Sequence, residues 1–159
     1  MHLSIRKMET KDLHPLHEML SDPETMQYLE HPFSMEKTRA FLEKAGLTDP
    51  PLIYATEDEK GQFVGYVIFH DYEESYKEIG WVLNKQFWGR GYAQNLTKQL
   101  IERTSLEKKG LVIECDPLQQ TTKKIARTFG FHYMGRIDGL DVFKREHEKD
   151  HPLQQVDFS

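Results

Sequence analysis

The chain has 159 residues, 38% of them hydrophobic and 30% charged, a length and balance that fit one globular domain with a real core. Lys and Arg number 21 against 26 Asp and Glu, a formal charge of −5, which excludes the basic face of a general duplex-DNA binder and favours a cationic partner such as an amine. The single cysteine, Cys115, excludes a disulfide framework or a cysteine-rich zinc module, and no apolar run approaches the ~20 residues of a membrane span. Met1-His2-Leu3-Ser4 lacks a secretory pattern, so a soluble cytoplasmic domain is expected.

In chain order, residues 3–7 (LSIRK) alternate as a first strand, and Thr10 is placed to cap a helix carrying Leu13, Leu16, Met19 and Leu20. Ser34 starts a second helix with Phe41, Leu42 and Ala45 as its apolar stripe, and Gly46 stops it. Residues 52–57 and 62–70 flank Asp58-Glu59-Lys60-Gly61 as a hairpin, and 77–83 (KEIGWVL) is a further strand. A loop then leads into a helix with Ala93, Leu96, Leu100 and Thr104 on one face. Residues 111–115 (LVIEC) read as a buried strand, followed by a helix with Leu118, Thr122, Ile125 and Phe129 on its stripe. Residues 131–137 and 140–145 close the pattern around Asp138-Gly139, and a polar tail follows from Glu146. The alternation predicts a mixed α/β (α+β) fold, with one domain over 1–145 and a tail over 146–159.

The chemistry concentrates in 79–93, IGWVLNKQFWGRGYA, where a strand runs through Gly89 and Gly91 into a helix. Glycines let backbone approach a ligand closely, and the open N–H groups of a helix's first turn attract anionic oxygen. Arg90 adds positive charge there. Position 94 is Gln, so the dinucleotide pattern GxGxxG is not met, and no Gly-Lys-Ser/Thr follows for a P-loop.

The stretch 77–131 resembles the acetyl-CoA site of the GNAT superfamily of N-acetyltransferases, whose signature Q/R-x-x-G-x-G/A lies at a strand–helix junction. Gln86-Phe87-Trp88-Gly89-Arg90-Gly91 matches it literally. Trp88-Gly89-Arg90-Gly91-Tyr92-Ala93 matches it by position at the helix start, with Trp in place of Gln or Arg. The WGRGYA string and residues 21–45 are similar to the subgroup of ribosomal-protein alanine acetyltransferases. Asp116-Pro117 and Gly130-Phe131 frame a helix like the family's, with Gln119 at its Asn and Thr122 at its Ser.

The resemblance implies a mostly antiparallel sheet flanked by helices and splayed between strands 77–83 and 111–115. It implies acetyl-CoA as co-substrate and direct acetyl transfer to a primary amine, with no metal. The cofactor would lie against Trp81, Val82, Leu83, Trp88, Gly89, Arg90, Gly91, Tyr92, Ala93, Gln119, Thr122 and Lys124, with Lys123 and Arg127 also in reach of its 3′-phosphate. Glu78 is the leading base, and a backbone N–H near Val82 would hold the oxyanion. Ala126 stands where many relatives carry a Tyr acid, which leaves Thr122 as the proton donor, with Tyr133 and Cys115 as weaker options. His70 has the right chemistry for a base, and Asp71, Glu73 and Glu74 are placed to form an acidic mouth for a cationic amine. The acceptor would be a protein N-terminus, an amino acid, a polyamine or another small amine; neither nucleic acid nor membrane is expected, and a two-fold dimer is the commonest assembly.

Two rival readings stand beside this one. A CoA-binding module without catalysis would account for the missing Tyr and for Gln119. His147-Glu148-Lys149-Asp150-His151 spells HExxH, a zinc-protease motif, but Pro152 follows at once and only Asp157 remains as an acid for a third ligand, so a charged tail is the better reading.

Overall fold

A computed structural model describes residues 2–147. Its strands are β1 (Ser4–Arg6), β2 (Ile53–Glu57), β3 (Phe63–Asp71), β4 (Tyr76–Leu83), β5 (Gly110–Cys115), β6 (His132–Ile137) and β7 (Leu140–Arg145). The helices are α1 (Leu13–Leu20), α2 (Met35–Phe41), α3 (Tyr92–Thr104) and α4 (Gln120–Thr128). The strands form one sheet in the order β1-β2-β3-β4-β5-β7-β6, antiparallel except for β4 and β5, which run parallel. This is the mixed, mostly antiparallel architecture expected.

Each sheet face buries its own core. Val67, Ile79, Leu83, Leu111 and Ile113 pack with Phe87, Leu96 and Leu100 of the α3 side, while Tyr66 and Val82 pack with Leu16, Met19, Leu20 and Leu42 of the α1–α2 side. Strand alternation sends successive residues to these two faces.

Local signals mostly act as the sequence reading expects. The Ser34 hydroxyl accepts the Lys37 amide (3.1 Å) and starts α2. Asp138 and Gly139 both take positive φ (52° and 83°), the geometry of a two-residue hairpin turn between β6 and β7. Two expectations need correction. Thr10 does not cap α1; it opens a 3-10 turn over Thr10–Asp12, and the buried Asp12 carboxylate accepts the Glu9 amide at 2.8 Å. Arg6 grips the same carboxylate through two nitrogens (2.8 and 2.9 Å) and also donates to Glu57 (2.9 Å), locking β1, β2 and the helix entry together. Leu118 is not part of a helical stripe: α4 begins at Gln120, and Leu118 is 68% exposed.

The sheet divides between β4 and β5. Their ladder holds only at Tyr76–Gly110, Lys77–Leu111 and Glu78–Val112. Beyond Glu78, β4 stays with β3 as far as Leu83, while β5 stays with β7 as far as Cys115. At the closed end a Cβ on Gly110 would stand 2.6 Å from the Tyr76 ring, so glycine is needed where the two half-sheets meet.

α4, which faces the opening, is pinned from behind. Its Lys123 ammonium lies 2.7 Å from the buried Asp141 carboxylate of β7, which also receives Arg136 and the Tyr133 hydroxyl (both 3.1 Å). Lys123 and Arg136 together hold the Asp141 carboxyl down to about 2. Asp141→Asn is expected to lower the melting temperature at neutral pH and to lose that effect in acid. A carboxyl depressed in the folded state stabilises above its unfolded pKa of ~3.9, and the contribution is lost as pH falls through about 2. Thermal unfolding of both proteins across that range checks this; a gap that does not narrow would show that the ion pairs contribute nothing.

Candidate active site

The open edge of β4 has a defined chemistry. The amides of Tyr72 and Asn84 bond the carbonyls of Tyr76 and Val64 (3.0 and 2.9 Å), which fixes the parity of the β3–β4 ladder. The even residues Gly80 and Val82 therefore turn their N–H and C=O groups to β3. The odd residues Trp81 and Leu83 turn theirs to the side that β5 has left. This corrects the expectation for Val82: its side chain lines the cleft, but its N–H belongs to the β3 ladder, and the amides aimed into the gap are those of Trp81 and Leu83. One of the freed groups is already taken, because the Trp88 indole donates to the Leu83 carbonyl at 2.9 Å.

The glycine turn stands at the end of this edge. The Asn84 side chain accepts the Gln86 amide (3.2 Å) and starts a 3-10 turn over Lys85–Phe87. Gly89 and Gly91 both sit at positive φ (76° and 79°), and a Cβ at Gly89 would meet nothing within 4 Å, so the turn is open rather than packed. Gly91 is the N-cap of α3, and the first helical bond runs from the Asn95 amide to the Gly91 carbonyl (3.1 Å), which leaves the amides before it directed out of the helix end. Arg90 lays its guanidinium over the Phe87 ring (5.3 Å to the centroid), and Phe87 stacks on Tyr92.

These parts border one cleft of about 700 Å³. Trp81, Val82 and Leu83 form its floor, Trp88, Gly89, Gly91, Tyr92 and Ala93 one end, and Gln119, Thr122 and Ile125 the opposite wall. The structure thus brings together most of the residues expected at the cofactor. It brings none of the four basic ones into the lining: Lys124 and Arg127 are exposed off the wall, and Lys123 is committed to Asp141. Arg90 is exposed beside the turn, not on the wall. Gln119 lines the cleft, but its side-chain oxygen accepts the Asp116 amide (2.9 Å), so that oxygen serves its own turn.

The fourth wall was not foreseen. Glu24, Thr25, Gln27, Tyr28 and Leu29, from the α1–α2 connection, border the cleft, with Tyr28 and Leu29 partly exposed on it. Asp22 fixes this loop by accepting the Thr25 amide and hydroxyl (2.8 and 2.9 Å), and Lys85 ties it to the glycine turn through Asp22 (3.1 Å) and Glu24 (3.5 Å). The signals in the sequence were three large apolar residues, Met26, Tyr28 and Leu29, inside a polar turn, and the family resemblance of residues 21–45.

On the sheet face toward α1 and α2, carboxylates flank the split. Glu78 faces His70 across the β3–β4 ladder, with Oε1 3.2 Å from Nε2. Glu114 of β5 lies two residues beyond Val112, the partner of Glu78, and so shares that face; it accepts the Tyr72 hydroxyl at 2.7 Å, which lifts that phenol to about 12. Sequence reasoning missed Glu114 and Tyr72, whose pairing spans 42 positions. The expected acidic mouth is largely neutralised: Asp71 pairs with Lys109 and Lys77 (3.1 and 3.5 Å), and Glu73 with Lys144 (3.2 Å). Tyr133 is engaged with Asp141 outside the cleft, and burial pushes the Cys115 thiol up to about 11, far from a nucleophile. Among the described residues no group of three His, Cys, Asp or Glu side chains could hold a metal, and Glu148–His151 of the HExxH string lie outside them.

Comparison with known proteins gives the class. The acetyltransferase (GNAT) domain family matches residues 2–132, and the chain belongs to that family. It is an acetyl-CoA-dependent acetyltransferase. It is 29% identical over 141 residues to the uncharacterized N-acetyltransferase YnaD of Bacillus subtilis strain 168, covering 84% of this chain and 81% of that one. A GNAT-family acetyltransferase of Bacillus anthracis superposes with a TM-score of 0.78 at 27% identity, covering 91% and 93% of the two chains. RimL, a ribosomal L7/L12 α-N-protein acetyltransferase solved with coenzyme A, shares the fold with a TM-score of 0.79 at 20% identity over 93% and 96%. Nothing in these matches favours the non-catalytic module or the zinc protease. No helix of the described residues is long and apolar enough to cross a membrane.

The open glycine turn and the unpaired β4 edge fit the co-substrate: a phosphate-accepting helix end at one side, and strand-like hydrogen-bonding groups leading to the split. Gly91→Glu is expected to weaken coenzyme A binding at least ~100-fold, from backbone strain of roughly 1–3 kcal/mol plus like charge at the phosphate end. Isothermal calorimetry with coenzyme A checks this, and unchanged affinity would remove the turn from the site.

Proposed function

We propose that this enzyme moves the acetyl group of acetyl-CoA directly to a primary amine, which reaches the β4–β5 split from the face carrying Glu78 and Glu114. The observation that carries the reading is the parting of β4 and β5 beside an open glycine turn, with both half-sheets lining one cleft. Acetyl-CoA supplies an activated thioester carbonyl; the protein must deprotonate the amine, hold the developing oxyanion and support the departing sulfur.

Glu78 takes the amine's proton, directly or across one water, because an ammonium has no lone pair with which to attack. The amides of Trp81 and Leu83, aimed into the gap, are the donors for the oxyanion, fixed in advance by the β4 backbone. Thr122, half-buried on the α4 wall of the cleft, is in this reading the donor to the sulfur; a thiol with a pKa of ~8.5 needs no stronger acid. Ala126, at the position of the family's Tyr, is fully buried and offers no proton. Direct transfer needs no cysteine nucleophile, in line with the raised pKa of Cys115.

The acceptor is a protein N-terminus, an amino acid, a polyamine or another small amine, and the Glu78–Glu114 face supplies the negative potential that attracts such cations. A cytoplasmic setting fits both the reaction and the lone reduced cysteine.

Glu78→Gln is expected to lower kcat by ~10²–10⁴-fold while leaving coenzyme A affinity unchanged. Thiol release with spermidine, alaninamide and a tetrapeptide with a free N-terminus measures the first, and calorimetry the second. Cys115→Ala should retain turnover. A Glu78→Gln enzyme of full activity would reassign the base, and loss of turnover in a folded Cys115→Ala would overturn direct transfer.

A further inference from the structure

Neither His70 nor Glu78 is among the residues that line the cleft, yet the imidazole is held at both nitrogens. It stands opposite Glu78 in a hydrogen-bonded pair of the β3–β4 ladder, so the two side chains share a face. Nε2 is 3.2 Å from the Glu78 carboxylate, and Nδ1 is 2.8 Å from the Asp71 carbonyl. Both partners only accept. A neutral imidazole carries one N–H, so one of its nitrogens must then present a lone pair to an oxygen.

Resting on the assignment of Glu78 as base, we infer that His70 is a positioning residue that makes Glu78 and the imidazole one proton-accepting unit. The Asp71 carbonyl keeps the proton on Nδ1, which aims the Nε2 lone pair at Glu78. When the amine nitrogen bonds to the acetyl carbon, its N–H bond breaks and the proton lands between Glu78 Oε1 and His70 Nε2. The imidazole then returns the proton to water through its exposed edge, a quarter of the side chain. Nothing is oxidised or reduced, and each turnover moves one proton from amine to solvent.

The groups around the ring leave the unit intact. From β4 it faces Glu78, and from β3 Asp71 and Tyr72, with the Asp71 carboxylate held by Lys77 and Lys109. Tyr72 is engaged with Glu114 of β5, and on the β2 side the neighbouring chain is Pro51-Leu52, without an ionisable group. The Glu78 hydrogen bond raises the imidazole pKa, burial opposes it, and the Asp71 carbonyl adds to the rise. The base is therefore blocked by its own proton at low pH and released as pH rises through a value above ~6.5.

The test has two arms. Nitrogen-15 NMR titration of the intact enzyme should show His70 titrating above the free-imidazole value of ~6.5 and moving down in Glu78→Gln. The kcat–pH profile, measured with the best of the three amines named above, should rise through that same midpoint. In His70→Gln the rise should vanish and kcat fall about tenfold, with unchanged coenzyme A affinity and melting temperature. A wild-type titration at or below ~6.5, or a His70→Gln profile that overlays the wild type, would overturn the pairing. If Glu78→Gln is inactive while His70→Gln keeps rate and profile, the pairing alone fails. If Glu78→Gln is fully active, the assignment of the base fails with it.

Discussion

Backbone hydrogen bonding is close to obligatory inside a protein, and β4 breaks that rule over half its length. Past Glu78 its outward N–H and C=O groups have no neighbouring strand, because β5 remains with β7 and β4 with β3. The rest of the molecule serves this gap. α3 and the glycine turn close one end of it, α4 and the Asp141 anchor hold the far wall, and the loop from Glu24 to Leu29 covers the front. A cleft built on unsatisfied backbone is suited to a ligand that is itself amide-rich and extended, because such a ligand can supply the hydrogen bonds of the missing strand.

Trp88 shows how finely that edge is managed. In the register that matches the family signature by position at the helix start it stands in place of Gln or Arg, and its indole N–H satisfies the Leu83 carbonyl that would otherwise face the cleft. One polar group is thereby removed from the open edge and Trp81 is left as its centre.

Local patterns made most of the fold readable. The strand pattern of 77–83, the apolar run 111–115, the Ser34 cap and the Asp138-Gly139 turn each carry a short-range physical signal, and each forms the element expected. The glycine turn was readable for the same reason: its conformation is set by residues within a few positions of one another. What escaped depended on distant partners. Whether Val82 or Trp81 offers its amide is decided by ladder parity with β3, not by anything in 77–83 itself. Asp71 and Glu73 looked like a charged mouth until the fold brought Lys109 and Lys144 to them, and Lys123 looked free for phosphate until β7 brought Asp141. Glu114 was hidden in a strand whose apolar neighbours dominated its reading.

The division of the sheet also bears on how the protein keeps its shape. One bank of the cleft belongs to β1–β4 with α3, the other to β5–β7 with α4, and only three ladder positions join the two strands directly. A ligand lodged between the banks binds the folded chain and not the unfolded one. By mass action it then stabilises the native state by ~2.7 kcal/mol at a hundredfold excess over its dissociation constant. The acyl donor is thus a fastener as well as a reactant, added to the shared core of Ile79, Leu83, Leu111 and Ile113 that already joins the two halves.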